Sequence, residues 1–276
     1  MKKSFERAQR RREEGHGYKH DLGQNFLYDD ALLEELVQST GVTKADSVLE
    51  IGPGSGMLTK HLCPHAGKVL AVEVDHDIIP FLKVNTAAFS NLEIVEGDIR
   101  KQNLRELCAP LEENFLVIAN IPYNITTPIF EALWESGLSI RQISVMIQKE
   151  VAEKLMAAPS TAAYGLMSVK CQYYCTPRLE CIVPAEKFTP PPKVDSAFIH
   201  LEMNKNRAAE VQNERRLFSL LRAGFNLRRK TLSNALRSVV EPDALRAAME
   251  QAEISPTARA EELSVDDWIR LSNACP

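Results

Sequence analysis

Val48-Leu49-Glu50-Ile51-Gly52-Pro53-Gly54-Ser55-Gly56-Met57-Leu58-Thr59 reads as a strand, a glycine turn and the opening of a helix. Three alternate glycines let a ligand approach the backbone, because no Cβ stands in the way. A dinucleotide fingerprint would space them G-x-G-x-x-G and seat a pyrophosphate on the helix N-terminus. Here the spacing is G-x-G-x-G, and Pro53 removes one N–H that a phosphate would use. The turn suits a ligand without phosphates that lies against the glycines through a ribose and an amino-acid part, a description that S-adenosylmethionine meets.

Three further strands follow. Lys68–Val72 delivers Glu73, 21 residues beyond Gly52, where an acid accepts hydrogen bonds from ribose hydroxyls and disfavours a 2′-phosphate. Leu92–Val95 leads to Gly97-Asp98, and Asp98 can accept a hydrogen bond from an adenine amino group. Phe115–Ala119 is a short apolar run of the kind a buried parallel strand requires, and it ends in Asn120-Ile121-Pro122-Tyr123. In an open α/β sheet, ligands bind outside the carboxyl ends of the strands, so the glycine turn, Glu73, Asp98 and Asn120 at four successive strand ends describe one nucleoside site. The exocyclic nitrogen of adenine is a poor nucleophile because its lone pair is delocalised into the ring. The Asn120 side-chain carbonyl and a backbone carbonyl beside Pro122 can hold its two hydrogens and redirect that lone pair. Tyr123 can stack on the base, a contact worth roughly 1–3 kcal/mol.

The chain has 276 residues, 45% hydrophobic and 25% charged, enough for one large core and a second, smaller unit. No apolar run approaches the ~18 residues of a membrane span, and Met1–Tyr18 has neither a signal-peptide core nor the acid-poor composition of a transit peptide. A cytoplasmic protein is expected. The six cysteines form no C-x-x-C pair and lack a His at zinc-finger spacing, so reduced core thiols and no metal are expected. A net charge of -4 hides an asymmetry: residues 1–20 hold seven Lys or Arg against three Glu, and 204–237 hold nine against two. Basic patches on an acidic body suit a polyanion gripped at particular surfaces.

Asp29-Asp30 opens a helix with Leu32, Leu33, Leu36 and Val37 on its apolar face, ended by Gly41. Beyond Asn204 the pattern is helical, with Leu217, Leu220 and Leu221 on one face, then Leu232, Leu236 and Val239-Val240. The chain is expected to divide into a basic tail (1–20), an α/β domain (21–203) that carries the strand ends, and a helical domain (204–276) suited to a polyanion. Arg228-Arg229-Lys230, between the first two helices of that domain, is the expected phosphate contact.

The chain closely resembles the bacterial small-subunit ribosomal RNA adenine dimethyltransferases. The resemblance is carried by Gly23-Gln24-Asn25-Phe26-Leu27, the Glu50–Gly56 turn, Glu73, Gly97-Asp98, Asn120–Tyr123, Gln148–Val151, Tyr164-Gly165, Phe188–Ser196 and Arg228–Leu232. It implies a Rossmann-like α/β methyltransferase with a seven-stranded sheet and a small all-helical C-terminal domain. Val145–Ile147 would be the fifth strand, and Gly165–Tyr174 with Ala197–Leu201 the closing antiparallel pair. It implies S-adenosylmethionine as cofactor, held by Asn25, Leu27, Gly52, Glu73, Asp98 and Asn120. Asn120 and Pro122 would serve the reacting amine, and Tyr123 and Phe188 would sandwich the target adenine, with Phe188 stiffened by its Pro-rich loop. The implied reaction dimethylates N6 of two adjacent adenosines in 16S ribosomal RNA, by a monomer acting on the small ribosomal subunit. Leu166 and Leu227 depart from the family pattern and remove polarity from possible RNA surfaces. The rival readings are a large-subunit, macrolide-resistance methyltransferase, a non-catalytic ribosome-assembly or transcription factor, and a DNA N6-adenine methyltransferase.

Overall fold

The structure, a computed structural model, describes residues 25–204 and 207–276. The basic tail expected over 1–20, together with Gly23-Gln24, lies outside the described residues. In chain order the strands are β1 (Phe26–Leu27), β2 (Ser47–Ile51), β3 (Lys68–Glu73), β4 (Leu92–Glu96), β5 (Phe115–Asn120), β6 (Ile140–Gln148), β7 (Cys175–Val183), β8 (Phe188–Thr189) and β9 (Ser196–Met203).

Seven of them form one sheet in the order β4-β3-β2-β5-β6-β9-β7, while β1 and β8 make a separate antiparallel pair. β2 runs parallel to β3 and β5, β3 to β4, and β5 to β6. The chain builds outward from β2 through β3 to β4, then returns to add β5 and β6 on the other side of β2. The strand order therefore reverses between β2 and β5, and a crevice opens there at the carboxyl ends. The four strand ends expected from the sequence, those leading to the glycine turn, Glu73, Asp98 and Asn120, lie along that edge. β5 carries the apolar run its sequence promised: Leu116, Val117, Ile118 and Ala119 are wholly inaccessible to solvent, as a central strand covered on both faces must be.

Helices α1 (Asp30–Ser39) and α2 (Thr59–His65) follow β1 and the glycine turn. α1 starts where the Asp29 carboxylate accepts the Leu32 N–H at 3.2 Å, and it buries Leu33, Leu36 and Val37. The same core takes Leu62 and Cys63 of α2, Leu116 and Ile118 of β5, and Phe198 of β9.

The chain divides into two compact units, one made of the described residues up to Lys149 with Arg178–Leu201, the other of Glu150–Pro177 with Glu202–Pro276. The second holds α3 (Leu166–Tyr174), α4 (Glu214–Asn226), α5 (Pro242–Gln251) and α6 (Val265–Ala274) around a core centred on Trp268, Tyr164, Tyr173 and Leu221. Residues 150–177, which the sequence reading keeps with 21–203, cluster with this unit.

One element differs outright from expectation. Gly165–Tyr174 does not form a closing strand: it is the helix α3, and the strand beside β9 is β7. The alternation of Val169, Cys171 and Tyr173 imitates a strand. The helix wins because Ser168 Oγ accepts the Gly165 N–H at 3.0 Å, and Tyr173 packs edge-on against Phe218 with ring centroids 5.5 Å apart.

Candidate active site

The carboxyl edge of the sheet opens onto a cavity of about 260 Å³. Its wall contains all six residues expected to touch the cofactor, Asn25, Leu27, Gly52, Glu73, Asp98 and Asn120, together with Pro122 and Tyr123.

The glycine turn is built to leave room. Gly52 and Gly54 sit at φ +66° and +57°, a left-handed region costly to any other residue. The Gly52 N–H donates to the Val72 carbonyl at 2.9 Å, extending the β2–β3 ladder by one step. A Cβ on Gly54 would lie 2.8 Å from the Phe26 ring. The Gly54 N–H donates to one Glu73 oxygen at 2.8 Å, and the Asp75 N–H donates to the other at 2.8 Å. These donors fix the carboxylate facing the cavity. Burial nonetheless holds the Glu73 carboxyl above its usual range, and the two backbone donors oppose that shift.

On the next strand over, the Gly97 N–H donates to the Glu73 carbonyl at 2.8 Å, which sets Asp98 beside Glu73. Asp98 is gripped by Arg100: Nε reaches Oδ1 at 2.8 Å, Nη2 reaches Oδ2 at 2.7 Å, and the Arg100 N–H adds a third bond to Oδ1 at 3.0 Å. The guanidinium hydrogen bonds hold the Asp98 carboxyl below the ordinary range.

At the end of β5, the Asn120 Nδ2 donates to the Asn25 carbonyl at 3.1 Å. That bond commits the amide nitrogen and leaves Oδ1 as the acceptor at the cavity wall. The Pro122 carbonyl is spent on its own turn, accepting the Ile125 N–H at 3.2 Å and the Thr126 hydroxyl at 3.3 Å. The carbonyl of Ile121, on the other side of the same proline, takes no hydrogen bond among the described residues. The Tyr123 hydroxyl meets the buried Ser196 hydroxyl at 2.5 Å, and burial raises its pKa. This anchor fixes the ring plane.

Two wall residues went unassigned in the sequence. Glu50 lies inside β2, is fully buried, and has no hydrogen-bond partner on either oxygen among the described residues. Burial pushes its pKa up to about 8, opposed by the nearby Thr59 hydroxyl and helped by the Glu73 charge. Its signal is an acid in the middle of an apolar parallel strand, a place where charge is not stable without a reason. Arg100 had no such signal, since its position depends on a turn that only folding defines.

Two expected site residues stand elsewhere. Phe188 is not on the cavity wall: β8 pairs it with Leu27 of β1, and it is 2% exposed within the core of Leu33, Val183 and Phe198. The expected sandwich of a base between Tyr123 and Phe188 is not formed by these side chains as they stand. The pairing of two hydrophobic dipeptides, Phe26-Leu27 and Phe188-Thr189, turns the ring inward. Arg228 is likewise committed, to Glu261 through Nε at 2.5 Å and to the carbonyls of Ala162 and Tyr164 through Nη2 at 3.1 and 2.8 Å. Arg229 and Lys230 remain exposed, with no ion pair among the described residues. The cysteines are free thiols, and five of the six are buried.

A family model described as ribosomal RNA adenine dimethylase matches residues 15–275. The ribosomal RNA small subunit methyltransferase A of Streptococcus sanguinis is 41% identical over 271 residues, covering 95% of this chain and 93% of the relative. The protein of the same description from Ligilactobacillus salivarius is 42% identical over 265 residues, covering 93% and 90%. Among solved structures, a dimethyladenosine transferase from Plasmodium falciparum superposes with a TM-score of 0.73 at 27% identity, covering 89% of this chain and 95% of that one. The 23S rRNA methyltransferase ErmE superposes with a TM-score of 0.69 at 25% identity, covering 91% and 99%.

Proposed function

The chain belongs to the ribosomal RNA adenine dimethylase family, and from that premise we propose that it dimethylates N6 of two adjacent adenosines in small-subunit ribosomal RNA, using S-adenosylmethionine. The observation that carries this reading is the Asn120 amide on the cavity wall, whose nitrogen is committed to the Asn25 carbonyl, leaving its own carbonyl oxygen to accept.

The cavity fits the cofactor. Its glycine turn lies on the wall with Gly54 so close to the Phe26 ring that a Cβ there would collide with it, the fixed Glu73 carboxylate suits two ribose hydroxyls, and Asp98 suits an adenine amino group. When bound, S-adenosylmethionine supplies a methyl group on a sulfonium, a leaving group that needs no acid. The protein's share is therefore proximity and orientation. The Asn120 Oδ1 and the Ile121 carbonyl accept the two hydrogens of the target amine, drawing its lone pair out of conjugation. Tyr123, held by Ser196, presents its ring to the flipped base. Phe188 acts from behind the wall, holding Leu27 in place through the β1–β8 pair.

The small-subunit target is favoured by relatives of about 40% identity that carry that description, against 25% for the large-subunit enzyme. Phosphate contact is assigned to the helical unit, through Arg229 and Lys230. Among the described residues no helix is long and apolar enough to cross a membrane, and the proposal places the protein in the cytoplasm, acting as a monomer.

The test is incubation with labelled S-adenosylmethionine and, in parallel, undermethylated small subunits and protein-free large-subunit RNA, with mass-spectrometric mapping of dimethyladenosine. Label in two adjacent adenosines of the small-subunit RNA is the expected result. Label confined to the large-subunit RNA would overturn the target, and no label with tight subunit binding would leave an assembly factor. Asn120→Ala should abolish transfer while leaving the thermal melt unchanged within about 2 °C. Full activity in that variant would sink the assigned chemistry.

A further inference from the structure

Arg100 touches the cavity yet has no part in the chemistry above. Its environment is specific. Within the three-residue helical turn Ile99–Lys101, Arg100 closes on Asp98 with a bidentate fork and one backbone bond, at 2.8, 2.7 and 3.0 Å. Three donors remove the carboxylate's freedom to rotate, and the fork takes the lone pairs on the carboxylate edge that Arg100 faces. The Asp98 side chain is 12% exposed and that of Arg100 42%, and both residues line the cavity. What remains for a ligand is a fixed, ionised acceptor that has no proton to donate.

A fixed acceptor discriminates. It rewards a 6-amino group and opposes a 6-oxo group, whose lone pairs would meet its own. A carboxylate free to turn or to take a proton would tolerate both. We propose that Arg100 is a specificity-determining residue for the cofactor: by locking Asp98 as an acceptor, it makes the site select an adenine amino group over a 6-oxo purine. The proposal rests on the reading of Asp98 as the residue that faces the cofactor's adenine.

Titration calorimetry on the full chain at neutral pH, with S-adenosylhomocysteine and its 6-oxo counterpart S-inosylhomocysteine, tests both. The wild type should prefer the amino ligand by about tenfold or more, the scale of one charge-assisted hydrogen bond set against a repulsive contact. Asp98→Asn, which can turn a donor toward an oxo group, should bring that ratio to about one. Arg100→Gln should cut the ratio to about threefold or less, with the oxo ligand gaining affinity as the freed carboxylate turns away from it. A merely structural role for Arg100 would weaken both ligands alike and leave the ratio intact. An Arg100→Gln protein that keeps the wild-type ratio, beside an Asp98→Asn protein that loses it, overturns the proposal and spares the Asp98 reading. A wild type that does not discriminate overturns both.

Discussion

Glu50 is the residue on which the interior of the site turns. A carboxyl with no hydrogen-bond partner inside a parallel strand is stable only when neutral, and burial accordingly places its pKa near 8 against 4.5 for a free glutamate. The folded protein thus holds a proton that the unfolded chain gives up. Stability from this source is complete below about pH 4.5 and is lost as pH rises through about 8. Glu50→Gln keeps the shape and removes the titration. The melting temperature of the variant relative to wild type should therefore climb between about pH 5 and pH 8, by roughly 5 °C or more, measured by scanning calorimetry. A difference that is flat or falls across that range would mean the carboxyl is not held neutral. Ser55 and Thr59, whose hydroxyls are also buried without partners among the described residues, lie in the same turn-to-helix segment, so the orphaned polarity gathers under the glycine turn.

Among the elements, the stretch after α4 shows how a charge run divides its labour. Arg228 ties the end of that helix to Glu261 and to two carbonyls of the 162–164 loop, so removing it orphans three acceptors at once. Arg228→Ala should destabilise the protein by about 1–3 kcal/mol, whereas Arg229→Ala should stay within about 0.5 kcal/mol, as followed by urea denaturation. Equal effects would dissolve the distinction. From sequence the three cations looked alike, because nothing in Arg228-Arg229-Lys230 says which side chain faces Glu261. By contrast β5 was legible: five apolar residues in a row, closed by polar ones, fit nothing but a covered strand. α3 was not, since its apolar residues at 169, 171 and 173 alternate like a strand, and the Ser168 bond to the Gly165 N–H with the aromatic neighbours supplied by α4 decide for a helix. Phe188 stands away from the cavity wall for a related reason. A Pro-rich loop can present a ring outward or tuck it in, and its register with β1 sets which.

At the scale of the whole molecule, the site was legible because it is an edge property. Residues at four strand ends become neighbours whenever the strands lie parallel and adjacent, so Gly52, Glu73, Asp98 and Asn120 could be grouped from order alone, while Arg100 depends on a turn that only folding defines. Charge behaves differently. A net charge of -4 and an isoelectric point near 5.9 argue against a polyanion partner only if charge is spread evenly, and it is not. On the helical unit, Arg215, Arg222, Arg229, Lys230 and Arg237 are all exposed. Binding to RNA through such groups releases condensed counterions, so affinity falls with salt in proportion to the phosphates neutralised. Replacing Arg229 and Lys230 together by alanine should lower the slope of log affinity against log salt by about two, one for each phosphate that keeps its counterion in the variant complex. Affinity for S-adenosylhomocysteine should be unchanged, because neither residue lines the cavity. Filter binding of small-subunit RNA over a salt series measures the first quantity and calorimetry the second. A variant with the wild-type slope would assign the phosphates to the other exposed cations, and one with weakened cofactor binding would show that the substitution had disturbed more than charge.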